Sequence, residues 1–177
     1  MAVPRHYRAF CVYFIRFSLI MLVIGGFVGV LYQEMTGKIR FADVPPGMHI
    51  ETGYRLAVIH GHFFLIGAVM PIVWITILKV VHELGGRPVG ERALDWIRGT
   101  YSVGAVSVTA LLLYKGLHYV IEVKKGERDF DKIHAGIFGG VRWIRAVAYA
   151  SSHTIATVAL VLFAVVVWRA LSSRRED

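Results

Sequence analysis

Hydrophobic and polar positions alternate along this chain in long blocks. Four blocks are almost free of charge: residues 12–33, 56–78, 100–121 and 146–168. The second and fourth contain no Lys, Arg, Asp or Glu, while the first contains only Arg16 and the third only Lys115, both near a block end where a long side chain can snorkel to the membrane surface. Because a helix needs about 20 apolar residues to cross a bilayer, the pattern predicts an all-α integral membrane four-helix bundle.

Polar connections separate the four predicted spans. They cover residues 34–55, 79–99 and 122–145, and they contain turn-forming Gly and Pro residues. None resembles a second folded domain, so we expect residues 1–177 to form one transmembrane domain. The first span is too long and too rich in glycine for a secretory leader, and we expect it to remain as a membrane anchor.

Composition and charge agree with a membrane protein. Hydrophobic residues make up 56 % of the chain and charged residues 18 %, with a formal charge of +8; ordinary soluble domains have less of the first and more of the second. The predicted partner is therefore membrane lipid rather than nucleic acid. Lys and Arg divide evenly between the two faces, but Arg5, Arg8 and Arg16 accompany the first span, and this favours both termini in the cytoplasm.

The single cysteine, Cys11, excludes several kinds of site. One thiol cannot form an internal disulfide, a Cys-rich zinc site or a Cys-ligated iron–sulfur cluster. The motif for covalent attachment of a c-type haem, Cys-x-x-Cys-His, is also absent from the sequence. Histidine is the remaining candidate for ligand chemistry.

Four of the eight histidines fall at one depth of the predicted bundle. We call the end that carries the first and third connections the far side. With a rise of 1.5 Å per residue, His60 and His62 lie about 6–9 Å from it, His153 about 10 Å and His118 within about 5 Å. Ionisable residues at such depths usually face the bundle interior or a bound group. His60 and His62 are about 200° apart on their helix, so one is expected to face His153 and the other the first span, the third span or a partner subunit.

Two neutral imidazoles on facing transmembrane helices suit a b-type haem. We predict non-covalent haem b with His60 and His153 as axial ligands of the iron, and His62 and His118 as further candidates. Small residues near His153 leave room for a porphyrin, and basic residues at the far side could hold its propionates: Arg55, Arg142, Arg145 and Lys115. The expected role is electron transfer or sensing of redox state or a diatomic gas, and no substrate turnover is predicted.

Other interpretations remain open. A transmembrane histidine often serves only as an interhelical hydrogen bonder. The four histidines could instead hold copper or zinc in a binding or transport protein. The chain could also be a non-catalytic subunit of a larger membrane complex, docking through the glycine-rich first span or residues 122–145. We expect a homodimer or larger assembly, because four helices leave a flat haem partly exposed to lipid.

The order of motifs resembles an uncharacterised bacterial family of four-helix membrane proteins. The likeness rests on Tyr32-Gln-Glu-Met-Thr-Gly-Lys38, on His60-Gly-His62 followed by Leu65 and Gly67, on Tyr101-Ser-Val-Gly104 with Lys115-Gly116, and on Ser152-His153. It implies the fold and a polar core of His60, His62 and His153 in a bacterial inner membrane, but no activity. The second span alone also resembles the haem-ligand helices of haem–copper oxidase and nitric oxide reductase large subunits.

Overall fold

The computed structural model describes residues 4–37, 44–45 and 47–172, and their secondary structure is helical. The elements are α1 (Arg5–Thr36), α2 (Met48–His62), a π-helical segment (Phe63–Val69), α3 (Met70–Glu83), α4 (Glu91–Lys124), α5 (Phe130–Gly136), a short 3-10 turn (Ile137–Gly140) and α6 (Arg142–Ser172). The segments α2, Phe63–Val69 and α3 follow one another as one continuous rod.

Four helical segments are long and apolar enough to cross a membrane: α1, the continuous α2–α3 rod, α4 and α6. The predicted all-α fold with four candidate spans is therefore confirmed. Each helix continues for several residues beyond the apolar block that predicted it, because helical hydrogen bonding persists where the sequence becomes charged. The blocks mark the apolar length of each helix rather than its ends.

A π-helical segment interrupts the second rod. The amide of Met70 bonds to the carbonyl of Leu65, five residues back, and the next donor in that register is missing because Pro71 has no N–H. The hydroxyl of Tyr101 on α4 donates to the carbonyl of Ile66 at 2.5 Å. Tyr101 thus replaces the donor that the proline removes and ties the rod to α4.

The helix α4 is the centre of the bundle. It packs against α6 over the largest helix–helix interface and also contacts α1 and α2. Aromatic residues fill the core on the side away from the far end, where Trp74 stacks on Phe163 at 4.4 Å and lies 4.4 Å from Tyr101, measured between ring centroids. A groove runs along the far-side half of α4 beside α2, and its described lining comes from these two helices.

The third connection contains α5, a short helix that the sequence pattern did not predict. Asp129 caps it, because its carboxylate accepts hydrogen bonds from the amides of Asp131 and Lys132. Ile133 is buried in a small cluster with Tyr119 of α4. This helix therefore lies on the far side, beside the charged opening of the groove.

A groove along α2 and α4

His60 faces the first helix. Its Nδ1 lies 2.9 Å from the carbonyl oxygen of Gly25, to which it donates. Gly29 leaves the space for the ring, since a Cβ on that residue would come within 2.8 Å of the His60 Nδ1. The sequence predicted that one of the two histidines of α2, His60 or His62, faces away from His153. The structure shows that His60 faces α1. The predicted pair of His60 and His153 is therefore not brought together in the described chain.

His62 belongs to a different face of α2. Glu51, Arg55, Val58 and His62 follow the spacing i, i+4, i+7 and i+11, which places them in one stripe along the helix. A groove of about 470 Å³ opens along this stripe. It is lined by Glu51, Tyr54, Arg55 and Val58 of α2 and by Leu112, Lys115 and Gly116 of α4. His62 comes one turn after Val58 and continues the α2 wall toward the middle of the bundle.

His153 belongs to α6, which stands beside the groove, while the described lining itself comes from α2 and α4. Tyr149 precedes it by one turn and shares its stripe, and the Tyr149 ring centroid lies 5.8 Å from Nζ of Lys115. Lys115 itself lines the groove beside Arg55. His153 is exposed on the surface of the described chain, on the flank of α6 that borders this groove.

Contacts of α2 with α4 fix the depth of His62. One turn beyond it along the rod, the Ile66 carbonyl bonds to Tyr101. One turn before it, Val58 lines the groove together with Leu112. Because the two helices run in opposite directions, His62 lies level with the middle of α4, between Tyr101 and Leu112.

Contacts of α6 with α4 place His153 at the same level. A Cβ added to Gly104 would lie 2.6 Å from the amide nitrogen of Ala156, so the two backbones nearly touch there. The hydroxyl of Tyr149 lies 3.5 Å from the Leu111 carbonyl oxygen. His153 lies between these two contacts, again level with the middle of α4, so His62 and His153 stand at one depth along α4.

Both imidazoles have the same hydrogen-bonding arrangement. Nδ1 of His62 lies 2.7 Å from the carbonyl oxygen of Val58, and Nδ1 of His153 lies 2.8 Å from that of Tyr149. A carbonyl only accepts, so Nδ1 carries the proton in each ring and Nε2 keeps its lone pair. This is the arrangement that orients metal-ligating histidines, in which the second ring nitrogen donates to a carbonyl.

His118 is turned out of the groove. Its Nε2 donates to the carbonyl of Ile133 at 3.0 Å and so fastens α5 to α4. The contact gives the side chain a structural role within the described chain. The depth that the sequence predicts for His118 therefore does not place it with His62 and His153.

Three cations surround the far-side opening. The Arg55 guanidinium pairs with Glu51 and lies 4.1 Å from the centroid of the Tyr119 ring. Arg145 donates to the carbonyl of His134, and Lys115 makes no ion pair within the described ranges. Arg142 is exposed at the first residue of α6. One carboxylate among three cations leaves the opening suited to an anion.

Groups of three or more potential metal-ligating side chains were not found among residues 4–37, 44–45 and 47–172. A structural zinc site needs four protein ligands and a catalytic one three. Two imidazoles at one depth are a smaller donor set, of the kind that a haem iron uses.

The family to which the chain belongs is shown by its match to a family model. The model described as protein of unknown function, DUF2871, covers residues 13–170. The chain belongs to the DUF2871 family. This confirms the resemblance to an uncharacterised family, while the likeness of the second span to haem–copper oxidase helices has no counterpart in the comparison. No curated protein and no solved structure matches this DUF2871 protein.

Some residues of the site were not singled out by the sequence pattern. Tyr149 could have been found from the sequence, because it precedes His153 by one helical turn and its carbonyl can accept a hydrogen bond from that ring. Tyr119 and His134 could not have been found in this way, because their contact depends on how α5 folds back onto α4.

Proposed function

We propose that this DUF2871 protein is a membrane-embedded b-type haem protein that binds one haem at the groove along α2 and α4, beside α6. His62 and His153 would hold the haem in this proposal. It is supported by the pair of Nδ1–H donors to the Val58 and Tyr149 carbonyls, which leaves the Nε2 lone pairs of two imidazoles at one depth along α4. His62 takes the place that the sequence predicted for His60, since His60 is held by α1.

The groove has the remaining features that a haem requires. Between the charged residues, its lining is apolar or small at Val58, Leu112 and Gly116. The exposed stripe of α6 on either side of His153 is also small, with Ala150 and Thr157. Arg55, Lys115 and Arg145 stand at the opening, where the propionates of a vertically oriented porphyrin would lie.

The protein's own residues would bind and orient the haem. The two carbonyl-anchored imidazoles would hold the haem, and the cations would bind its carboxylates. A bound haem would supply one-electron redox chemistry. With two imidazoles holding the haem, the proposal favours electron transfer over turnover of a substrate, and a sensing role would require one of them to be released.

The surroundings of the site complete the proposal. His153 is exposed on a helix that crosses the membrane, and a second copy or another subunit over α6 would cover it and the outer edge of the haem. We retain a homo-oligomer or a larger membrane complex, a bacterial inner membrane and cytoplasmic termini as parts of the proposal. Copper or zinc binding by the same histidines has less support, because His60 and His118 turn to other partners.

The absorption spectrum of the purified full-length protein, oxidised and then reduced, tests this proposal. Protein expressed with a haem precursor is expected to show a Soret band and to develop sharp visible bands on reduction, as six-coordinate haem does. Absence of visible absorbance together with near-stoichiometric copper or zinc by metal analysis would contradict the proposal and support the alternative.

A further inference from the structure

The short helix α5 is fastened over the cationic opening of the groove. His118 of α4 donates to the Ile133 carbonyl, and Arg145 of α6 donates to the His134 carbonyl. The side chain of His134 makes a third contact, with Nδ1 at 3.1 Å from the hydroxyl of Tyr119. The titratable ring of α5 is thereby held at the same opening as the cations.

Charges from three other helices face His134. Arg145 of α6, Lys115 of α4 and Arg55 of α2 all act on it, and Asp131 on its own helix acts in the opposite direction. Partial burial, followed by the repulsion of these three cations, holds the pKa of His134 below its usual value. Tyr119 links two of the groups directly, since it contacts His134 through its hydroxyl and Arg55 through its ring.

We propose that His134 takes up a proton when an anionic group occupies the opening, so that ligand binding in the groove and protonation of α5 are coupled. The inference rests on the proposed function, because the anionic group is taken to be the carboxylates of a bound haem. Binding equilibria of this kind are reciprocal. A ligand that favours the protonated ring is itself bound more tightly when the ring is protonated.

The sign follows from the charges. Arg145, Lys115 and Arg55 disfavour a fourth positive charge at His134. Two carboxylates beside Arg55, Lys115 and Arg145 would offset that repulsion and raise the proton affinity of His134. Haem affinity should therefore increase as the pH falls through the range of about 7 to 5, where an imidazole titrates.

Haemin titrations of the full-length apoprotein in detergent, followed by the Soret band, test the coupling. Affinities are measured at pH 7.5, 6.5 and 5.5 for the wild type, for His134→Gln and for a control, His6→Gln. His6 is suitable because it bonds to Val89 at the opposite end of the bundle. The carboxylates of haemin titrate alike in all three proteins, so the ratio of wild-type to His134→Gln affinity isolates the contribution of His134.

That ratio is expected to rise about 5-fold or more between pH 7.5 and pH 5.5, within the usual range of coupling between sites, while His6→Gln follows the wild type. A ratio that stays constant with pH would overturn the coupling and leave the proposed function standing. Failure of the wild type itself to bind haemin would overturn the proposed function and the coupling with it.

A second measurement needs no variant. The pKa of His134 is measured by NMR in the wild-type protein before and after loading with zinc protoporphyrin, which is diamagnetic and carries the same two carboxylates. An increase on loading is expected. An unchanged or decreased value would overturn the coupling even if His134→Gln failed to fold.

Discussion

Gly104 of α4 lies directly against Ala156 of α6, so closely that a Cβ at Gly104 would stand 2.6 Å from the Ala156 amide nitrogen and 2.7 Å from its Cα. This contact sets the separation of the two helices three residues after His153. Because Ala156 and His153 belong to adjacent turns of α6, the contact also determines where His153 stands relative to α4.

Replacing Gly104 by Val should separate α4 from α6. The side chain would meet backbone atoms, which cannot rotate away, so we expect a loss of about 1–3 kcal/mol in the free energy of unfolding and weaker haemin binding. The measurement is denaturant unfolding of the purified protein in detergent, followed by helical circular dichroism. Gly99→Val on the same helix is the control, because a Cβ there meets nothing within 4 Å. Equal losses for both variants would contradict the assigned contact.

Tyr101→Phe should weaken the connection between the second rod and α4. The substitution removes the only hydroxyl that bonds to the Ile66 carbonyl among the described residues, and that carbonyl faces a missing donor at Pro71. The expected cost is about 1 kcal/mol in unfolding free energy. Tyr13→Phe removes an exposed hydroxyl that bonds to Ser102 and should cost less. The prediction fails if Tyr101→Phe is as stable as the wild type.

Acid should loosen the segment that leads into α5. A hydrogen bond from Lys132, followed by bonds from the amides of Asp129 and Arg128, lowers the pKa of Glu127 to about 2 from a usual 4.5. The group is more acidic when folded, so its contribution is present above about pH 4.5 and is lost as the pH falls toward 2. The protection factors of the α5 amides, which correct for the intrinsic pH dependence of hydrogen exchange, are expected to fall over that range in the wild type. Glu127→Gln should show a smaller fall, and an equal fall would count against the interaction.

The sequence predicted the four spans because an apolar block long enough to cross a bilayer needs no tertiary information to recognise. It also predicted a common depth for His60, His62 and His153, since depth depends only on the rise per residue. The sequence did not show which of His60 and His62 faces α1. The answer depends on Gly25 and Gly29, which allow α1 to approach α2 closely enough to bind the His60 ring.

Two other features also depended on contacts between distant parts of the chain. The π-helical segment becomes understandable once Tyr101 is seen to bond to Ile66, 35 residues away. The position of α5 depends on His118 and Arg145, which belong to two different helices. In the sequence, the Asp129 cap was the one local signal that a helix begins in the third connection.

The proposal that His62 and His153, and not His60, hold a haem is tested by the Soret absorbance per mole of purified protein for three matched variants, His62→Ala, His153→Ala and His60→Ala. We expect the first two to lose the six-coordinate spectrum, while His60→Ala keeps it and loses only stability through the contact with Gly25. Retention of the wild-type spectrum in His62→Ala or His153→Ala, or its loss in His60→Ala alone, would show that His62 and His153 are not the residues that hold the haem.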